Sequence, residues 1–327
     1  MSKGYNTRVY FSDQSDPRLL DILKRVSYDE IELNNRVVTD YVKELSTTNP
    51  IFGFSLHGHR ADIHEILTQE GNFDVTIDAI KKARKLNLPN LRVFSVLHSR
   101  NYMYMQEMCE LLQKYDFSHL QFTKLNYAGG AQELPDDLYM DQDAFVHVVK
   151  TYEKLKAKYS GTMELSLSKM YGPTHSRLKV HFLGLITPFM KRQRRACHGG
   201  IEKIIVDAKT KKIFPCVWTT GEEWINLGYY DEEKGLVFEK KTWFEDIESK
   251  IGEPCKSCKI LRYCGGYCRS AAIAETNRLT GKIDLYAGFP RCPVSLKITK
   301  FVKSHEVKSF FARLFFLKKP YILSSYE

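Results

Sequence analysis

Residues 255–268 read CKSCKILRYCGGYC, four cysteines within fourteen positions. Two residues separate Cys255 from Cys258, five separate Cys258 from Cys264, and three separate Cys264 from Cys268. Gly265 and Gly266 free the backbone to fold tightly between the last two thiols. Thiols at such intervals can converge, so the spacing is that of metal ligands.

Outward from this stretch, the chain of 327 residues holds eight cysteines, and seven of them follow residue 196. Upstream lie Cys197 and, after eighteen residues, Cys216; downstream lies Cys292 in GFPRCPVSL, between two prolines. Disulfide frameworks belong to short secreted chains, which favours metal or cluster ligation here. Seven thiols exceed the four that one tetrahedral zinc takes. Two zinc ions would need eight ligands, one of which His198 could supply, and two cubane iron–sulfur clusters would also use up to eight. Spacing leaves these alternatives open. Cys109, in YMYMQEMCELLQKY, falls on the apolar positions of a helix and reads as a buried thiol.

Hydrophobic residues make up 43% and charged residues 27%, a balance typical of a globular chain. No apolar run is long enough to span a bilayer, and MSKGYNTRVYFSD lacks the apolar core of a secretory signal, so a cytoplasmic location is expected. The net charge of +10 is spread along the chain, with its densest knot in KRQRR at 191–195. A solvated face is the simplest account. Cations that balance negatively charged thiolate clusters are a second, and an acidic peptide partner a third; no nucleic-acid partner is expected.

Residues 1 to about 185 alternate β-rich runs with amphipathic helical stretches, the pattern of βα units with parallel strands. Strands are expected at 7–12, 30–33, 50–56, 91–97, 120–125 and 163–168. Helices are expected after Pro17, over VVTDYVKEL, over the stretch carrying Phe73, Ile77, Ile80 and Ala83, and over 103–114 and 141–158. Such units wind into an open sheet or a partial barrel, with chemistry at the carboxyl ends of the strands. The loops there begin at Asp13, His57 and Asn126. His57, His59 and His64 form a group that reads as a metal site, a ligand-facing loop, or solvent-facing or hydrogen-bonded histidines. Near residue 190 the composition shifts toward Cys, Lys and aromatic residues. A hairpin is expected from IEKIIVD to KKIFPCVW, and SHEVKSFFARLFFLKKP at 304–320 reads as a basic amphipathic helix, packed on the body of the protein or lying on a membrane surface.

The cysteine arrangement from 197 to 292 resembles the SPASM domain, the carboxyl-terminal extension of radical S-adenosylmethionine enzymes that mature peptides and proteins. One departure is Lys211, where the family often has glycine five residues before the second cysteine. The resemblance implies two auxiliary [4Fe–4S] clusters, one held by Cys255, Cys258, Cys264 and Cys292 and the other by Cys197, Cys216 and Cys268. The second would have an open iron or a non-cysteine ligand. RVYFSDQSDPRLLDIL is similar to the second strand of the radical enzymes, where Gly-Gly-Glu-Pro contacts the cofactor; only Pro17 is retained. GFSLHGH resembles the fourth-strand segment Ser-Leu-Asp-Gly, with His57 in place of the aspartate. Ser55, His57 and Asn126 would then face S-adenosylmethionine.

The resemblance implies an α/β fold. A partial (β/α) TIM-like barrel of radical SAM type, without its first strand, would occupy 1–190, a small SPASM domain 191–295, and a helical tail 296–327. The family's CxxxCxxC loop, which binds the cluster that reduces S-adenosylmethionine, does not occur in the sequence. Two expectations follow. In one the chain is a pseudoenzyme or accessory partner that keeps the auxiliary clusters and meets a peptide or protein substrate, an active radical SAM enzyme or an electron donor. In the other it is an incomplete or split maturase. The change of Gly-Gly-Glu to residues 13–16, Asp-Gln-Ser-Asp, favours the first. A zinc-stabilised interaction module is the alternative from a different class.

Overall fold

The computed structural model describes residues 8–11, 30–34, 51–168, 171, 185, 197, 199–200, 204–207, 209–240 and 250–292. The helices expected after Pro17 and over VVTDYVKEL, the KRQRR knot, His198 and the basic tail lie outside the described residues.

Six strands appear where the sequence pattern puts them: β1 Arg8–Phe11, β2 Glu30–Asn34, β3 Ile51–Ser55, β4 Leu91–Leu97, β5 His119–Lys124 and β6 Glu164–Leu167. Every neighbouring pair is parallel, and the spatial order is the order in sequence. A doubly wound sheet reverses its order at a switch point; this one winds in a single direction, as barrel sheets do.

The helices alongside are built on apolar stripes. Helix α1 is the single turn Ala61–His64, and α2 spans Asn72–Lys85. Ile77, Ile80 and Ala83 of α2 are buried, with Asp74 in its first turn and Lys82, Arg84 and Lys85 in its last, complementing the dipole. Helix α3, Met105–Lys114, buries Met105, Met108, Cys109 and Leu112. Burial pushes the Cys109 thiol up to about 12, in keeping with an inert core cysteine. Helix α4, Gln142–Lys158, starts at Asp141, whose carboxylate accepts the Ala144 N–H at 2.7 Å.

A second, antiparallel sheet has the order β10-β9-β8-β7. The expected hairpin is present as β7 Ile205–Val206 and β8 Lys212–Phe214. Strands β9 Gly228–Asp231 and β10 Gly235–Phe238 extend it. Lys211 takes up φ 58°, the left-handed conformation that glycine adopts freely.

After the cysteine-rich stretch comes helix α6, Arg269–Thr280, preceded by the single turn α5, Leu261–Cys264. Arg269 through Glu275 are all buried. Nearly two turns buried all round have no polar face, and hence no amphipathic signal in the sequence. The buried apolar cluster is continuous: it runs from Phe52, Val93 and Phe122 of the parallel sheet to Ile251, Ala271, Ala272, Phe289 and the cysteines Cys255 and Cys292.

Candidate functional site

The stretch 261–268 turns sharply. Gly265, Gly266 and Tyr267 follow α5 with φ of 64°, 75° and 54°, and Cys268 then caps α6. Three successive left-handed residues send Cys264 and Cys268 in different directions. The Cys264 thiol is pushed up to about 12 by burial and then by neighbouring Cys292, Cys255 and Cys258. The Cys268 thiol is pushed up to about 11 by burial and then by Cys197. The thiols thus fall into two groups, one around Cys264 and one around Cys268.

Cys216 belongs to the neighbourhood of Cys197 through the backbone. A Cβ at Gly199 would lie 2.5 Å from the Pro215 carbonyl oxygen and 3.6 Å from the Cys216 Cβ. Only glycine allows that approach, which brings the chain after Cys197 against Cys216.

Backbone donors serve the thiols. The Phe289 N–H donates to Cys255 Sγ at 3.3 Å, and the amides of Gly266 and Ala271 bond the sulfurs of Cys264 and Cys268. Such N–H donors favour the thiolate over the thiol. Among the described residues, no three His, Cys, Asp or Glu side chains could hold a single metal ion.

An ionic group joins the parallel sheet to α6. Lys124, at the end of β5, and Glu275 pair at 3.0 Å, both buried. Glu275 also meets Arg278 at 3.2 Å and Arg291 at 3.2 Å. On the outside, Glu222 ties loops together in a similar way, accepting the Gly129 N–H, Gln132 Nε2 and Trp224 Nε1, each at 2.8 Å. A shallow indentation lies there, lined by Tyr127, Trp218, Trp224, Ser270 and Asn277 among others.

At the carboxyl ends of β3–β5 the histidines are held by the backbone. The Val96 N–H donates to His57 Nδ1 at 3.1 Å, the His57 N–H to His64 Nδ1 at 2.9 Å, and the Arg100 N–H to His98 Nδ1 at 3.2 Å. With Nδ1 accepting, each neutral ring carries its proton on Nε2. Burial lowers His57 to about 3, and His64 and His98 to about 4. Of the readings considered for His57, His59 and His64, the hydrogen-bonded one describes His57 and His64; His59 packs near Tyr104. Ser55 ends β3 opposite Phe94. Asn126 is buried with neither amide atom hydrogen-bonded, and the Nε2 atoms of His64 and His98 and the Ser95 hydroxyl are likewise buried without a partner.

Sequence reading did not single out His98, Asn101, Lys124, Arg269 or Glu275. Asn101 clasps the histidine loops: it donates to the carbonyls of His57 and Val96 at 2.8 Å and accepts the His98 N–H at 2.7 Å. Nothing local marks it. Lys124 and Glu275 are charges on stretches otherwise apolar or small, which is the one signal that could have found them.

No protein-family model matches the chain. It is 20% identical over 266 residues to the cysteine-type anaerobic sulfatase-maturating enzyme of Clostridium perfringens strain 13, covering 77% of this chain and 69% of that protein. Against the enzyme of a second Clostridium perfringens strain the identity is 22% over 270 residues. The fold is shared with the solved structure of native anSMEcpe with bound AdoMet and Kp18Cys peptide, at a TM-score of 0.60 and 17% identity over 90% of this chain and 82% of that one. It is also shared with Streptococcus suis SuiB bound to precursor peptide SuiA, at a TM-score of 0.55 and 14% identity over 80% of this chain and 58% of that one. The chain is thus similar in sequence to anaerobic sulfatase-maturating enzymes and shares its fold with anSMEcpe and SuiB. No helix among the described residues is long and apolar enough to cross a membrane.

Proposed function

We propose that the chain is an iron–sulfur partner in peptide maturation. In this reading it holds one [4Fe–4S] cluster on Cys255, Cys258, Cys264 and Cys292 and a second on Cys197, Cys216 and Cys268. The observation that carries it is the sorting of the thiols, with Cys264 beside Cys292, Cys255 and Cys258, and Cys268 beside Cys197.

The donors suit such clusters. They are all sulfur and largely shielded, and three accept backbone N–H bonds. Thiolates on one zinc lie about 2.3 Å from the metal and almost touch one another, whereas a cubane spreads its ligands over separate irons. The thiols of this chain share surroundings without converging on a single-ion site among the described residues. When bound, the clusters supply one-electron transfer. The chain's own part is to shield the thiols and donate hydrogen bonds to sulfur.

In the same reading, residues 1–190 are a partial radical SAM barrel, 191–295 a SPASM domain, and 296–327 a tail. The role is that of an accessory protein or pseudoenzyme, since residues 13–16 read Asp-Gln-Ser-Asp. The test is anaerobic purification with iron, sulfide and zinc analysis, followed by incubation of the reduced protein with S-adenosylmethionine. Iron with equal sulfide and no 5′-deoxyadenosine is expected. A colourless protein with stoichiometric zinc would instead establish the zinc module, and turnover by the isolated chain would sink the pseudoenzyme role.

One observation favours the split-maturase reading. Asn126, His64, His98 and Ser95 hold buried polar atoms without partners at the strand ends. Groups of that kind await a ligand or water. S-adenosylmethionine in the presence of a polypeptide supplying CxxxCxxC is the ligand this reading names, with Ser55, His57 and Asn126 facing it. Equilibrium dialysis with the cofactor, alone and with such a polypeptide, separates the two.

A further inference from the structure

The buried side chain of Arg269 starts beside one thiol group and ends beside the other. Arg269 follows Cys268 directly and is 1% exposed. Its Nη2 donates to the carbonyls of Leu285 at 3.1 Å and Ala287 at 2.6 Å. That loop continues to Phe289, whose N–H bonds Cys255 Sγ at 3.3 Å. Nη1 lies 3.5 Å from where a Cβ on Gly266 would stand, within the turn from Cys264 to Cys268. The guanidinium therefore spans the space between the Cys268 group and the Cys255 group.

Lys124 is different. Its ammonium is tied to the Glu275 carboxylate at 3.0 Å on the α6 side and lies 5.8 Å from the centre of the Phe289 ring. Arg269, by contrast, interacts with Cys255 as well as with Cys197 and Cys268.

We propose that Arg269 is a potential-setting residue shared by both clusters, its fixed positive charge raising the reduction potential of the two together. The inference rests on the cluster reading above. Each one-electron reduction adds a negative charge to a cluster and makes or breaks no bond. A buried cation within reach stabilises the reduced form, because the low local dielectric leaves its field little screened. One guanidinium between two clusters shifts both potentials in the same direction.

The test is a dye-mediated potentiometric titration of the reconstituted full chain, followed by electron paramagnetic resonance. The two signals are assigned with Cys258→Ala and Cys216→Ala variants. Arg269→Gln is expected to lower both midpoint potentials. In Arg269→Lys the shorter side chain keeps its charge near Cys268 but falls short of the 285–289 loop, so only the Cys255 cluster should drop. That variant is decisive if Arg269→Gln loses its iron. Potentials unmoved in iron-replete Arg269→Gln, or in Arg269→Lys where it must stand in, overturn the inference and leave the cluster reading intact. A wild-type chain that takes up no iron overturns the cluster reading and the inference with it.

Discussion

Lys124 Nζ and Glu275 Oε2 stand 3.0 Å apart, with the two side chains only 5% and 8% exposed, and join the end of β5 to the second turn of α6 across 151 residues of sequence. Arg278 and Arg291 share the same carboxylate. Removing the carboxylate leaves buried cations facing one another, whereas removing the lysine leaves Glu275 with two partners. Glu275→Gln should therefore cost more than Lys124→Met, roughly 3–5 kcal/mol against less than that. Urea unfolding midpoints of the two variants test the order; a reverse order would refute this account of the network.

Acid should weaken the same joint. Burial alone would raise the Glu275 carboxyl, but Lys124, Arg291 and Arg278 outweigh it and hold the group at about 2, below its ordinary 4.5. A carboxylate lowered on folding contributes stability that is present above 4.5 and lost as the pH falls toward 2. Wild-type stability should fall through that window, and Glu275→Gln should show a shallower slope there.

The histidines act in a higher window. Burial lowers His64 and His98 from 6.5 to about 4, so the unfolded chain binds more protons than the folded one between those values. Stability is therefore complete above 6.5 and declines as the pH drops toward 4. His64→Asn keeps an acceptor for the His57 N–H and removes the titration. Its unfolding midpoint should depend less on pH across this range than that of the wild type.

Asn101 ties the loop after β3 to the end of β4 with one amide. Asn101→Ala strands the His98 N–H and two carbonyls in buried surroundings, a loss of roughly 2–4 kcal/mol. Asn101→Asp should not rescue it, because a carboxylate cannot donate to the His57 and Val96 carbonyls. Thermal unfolding of both variants decides.

The approach of Gly199 to Pro215 can be tested through iron content. Gly199→Ala puts a Cβ 2.5 Å from the Pro215 oxygen and must push Cys197 away from Cys216. Reconstituted iron should fall by about half, as one cluster site is lost and the other kept. Gly130→Ala, which meets nothing within 4 Å, should load normally.

Much of the parallel sheet was legible because its signals are local. Residues 91–97 form a strand of seven residues bounded as the pattern drew it, and α2 buries Ile77, Ile80 and Ala83 at the spacing read from the sequence. Strands β9 and β10, four residues each, are too short to show a period. Helix α6 buries every residue from Arg269 to Glu275, so its helical repeat has no polar face to contrast with.

At the cysteines, the intervals in CKSCKILRYCGGYC by themselves determined that thiols would gather, because a short chain between ligands limits how far apart they can lie. The tertiary structure decided their surroundings. It set Cys264 among Cys255, Cys258 and Cys292, and Cys268 beside Cys197, through three left-handed residues in a row. It also ran Arg269 from one group toward the other and brought Lys124 to Glu275. These last relations depend on packing between elements more than a hundred residues apart, or on the course of one buried side chain, and no local periodicity encodes either.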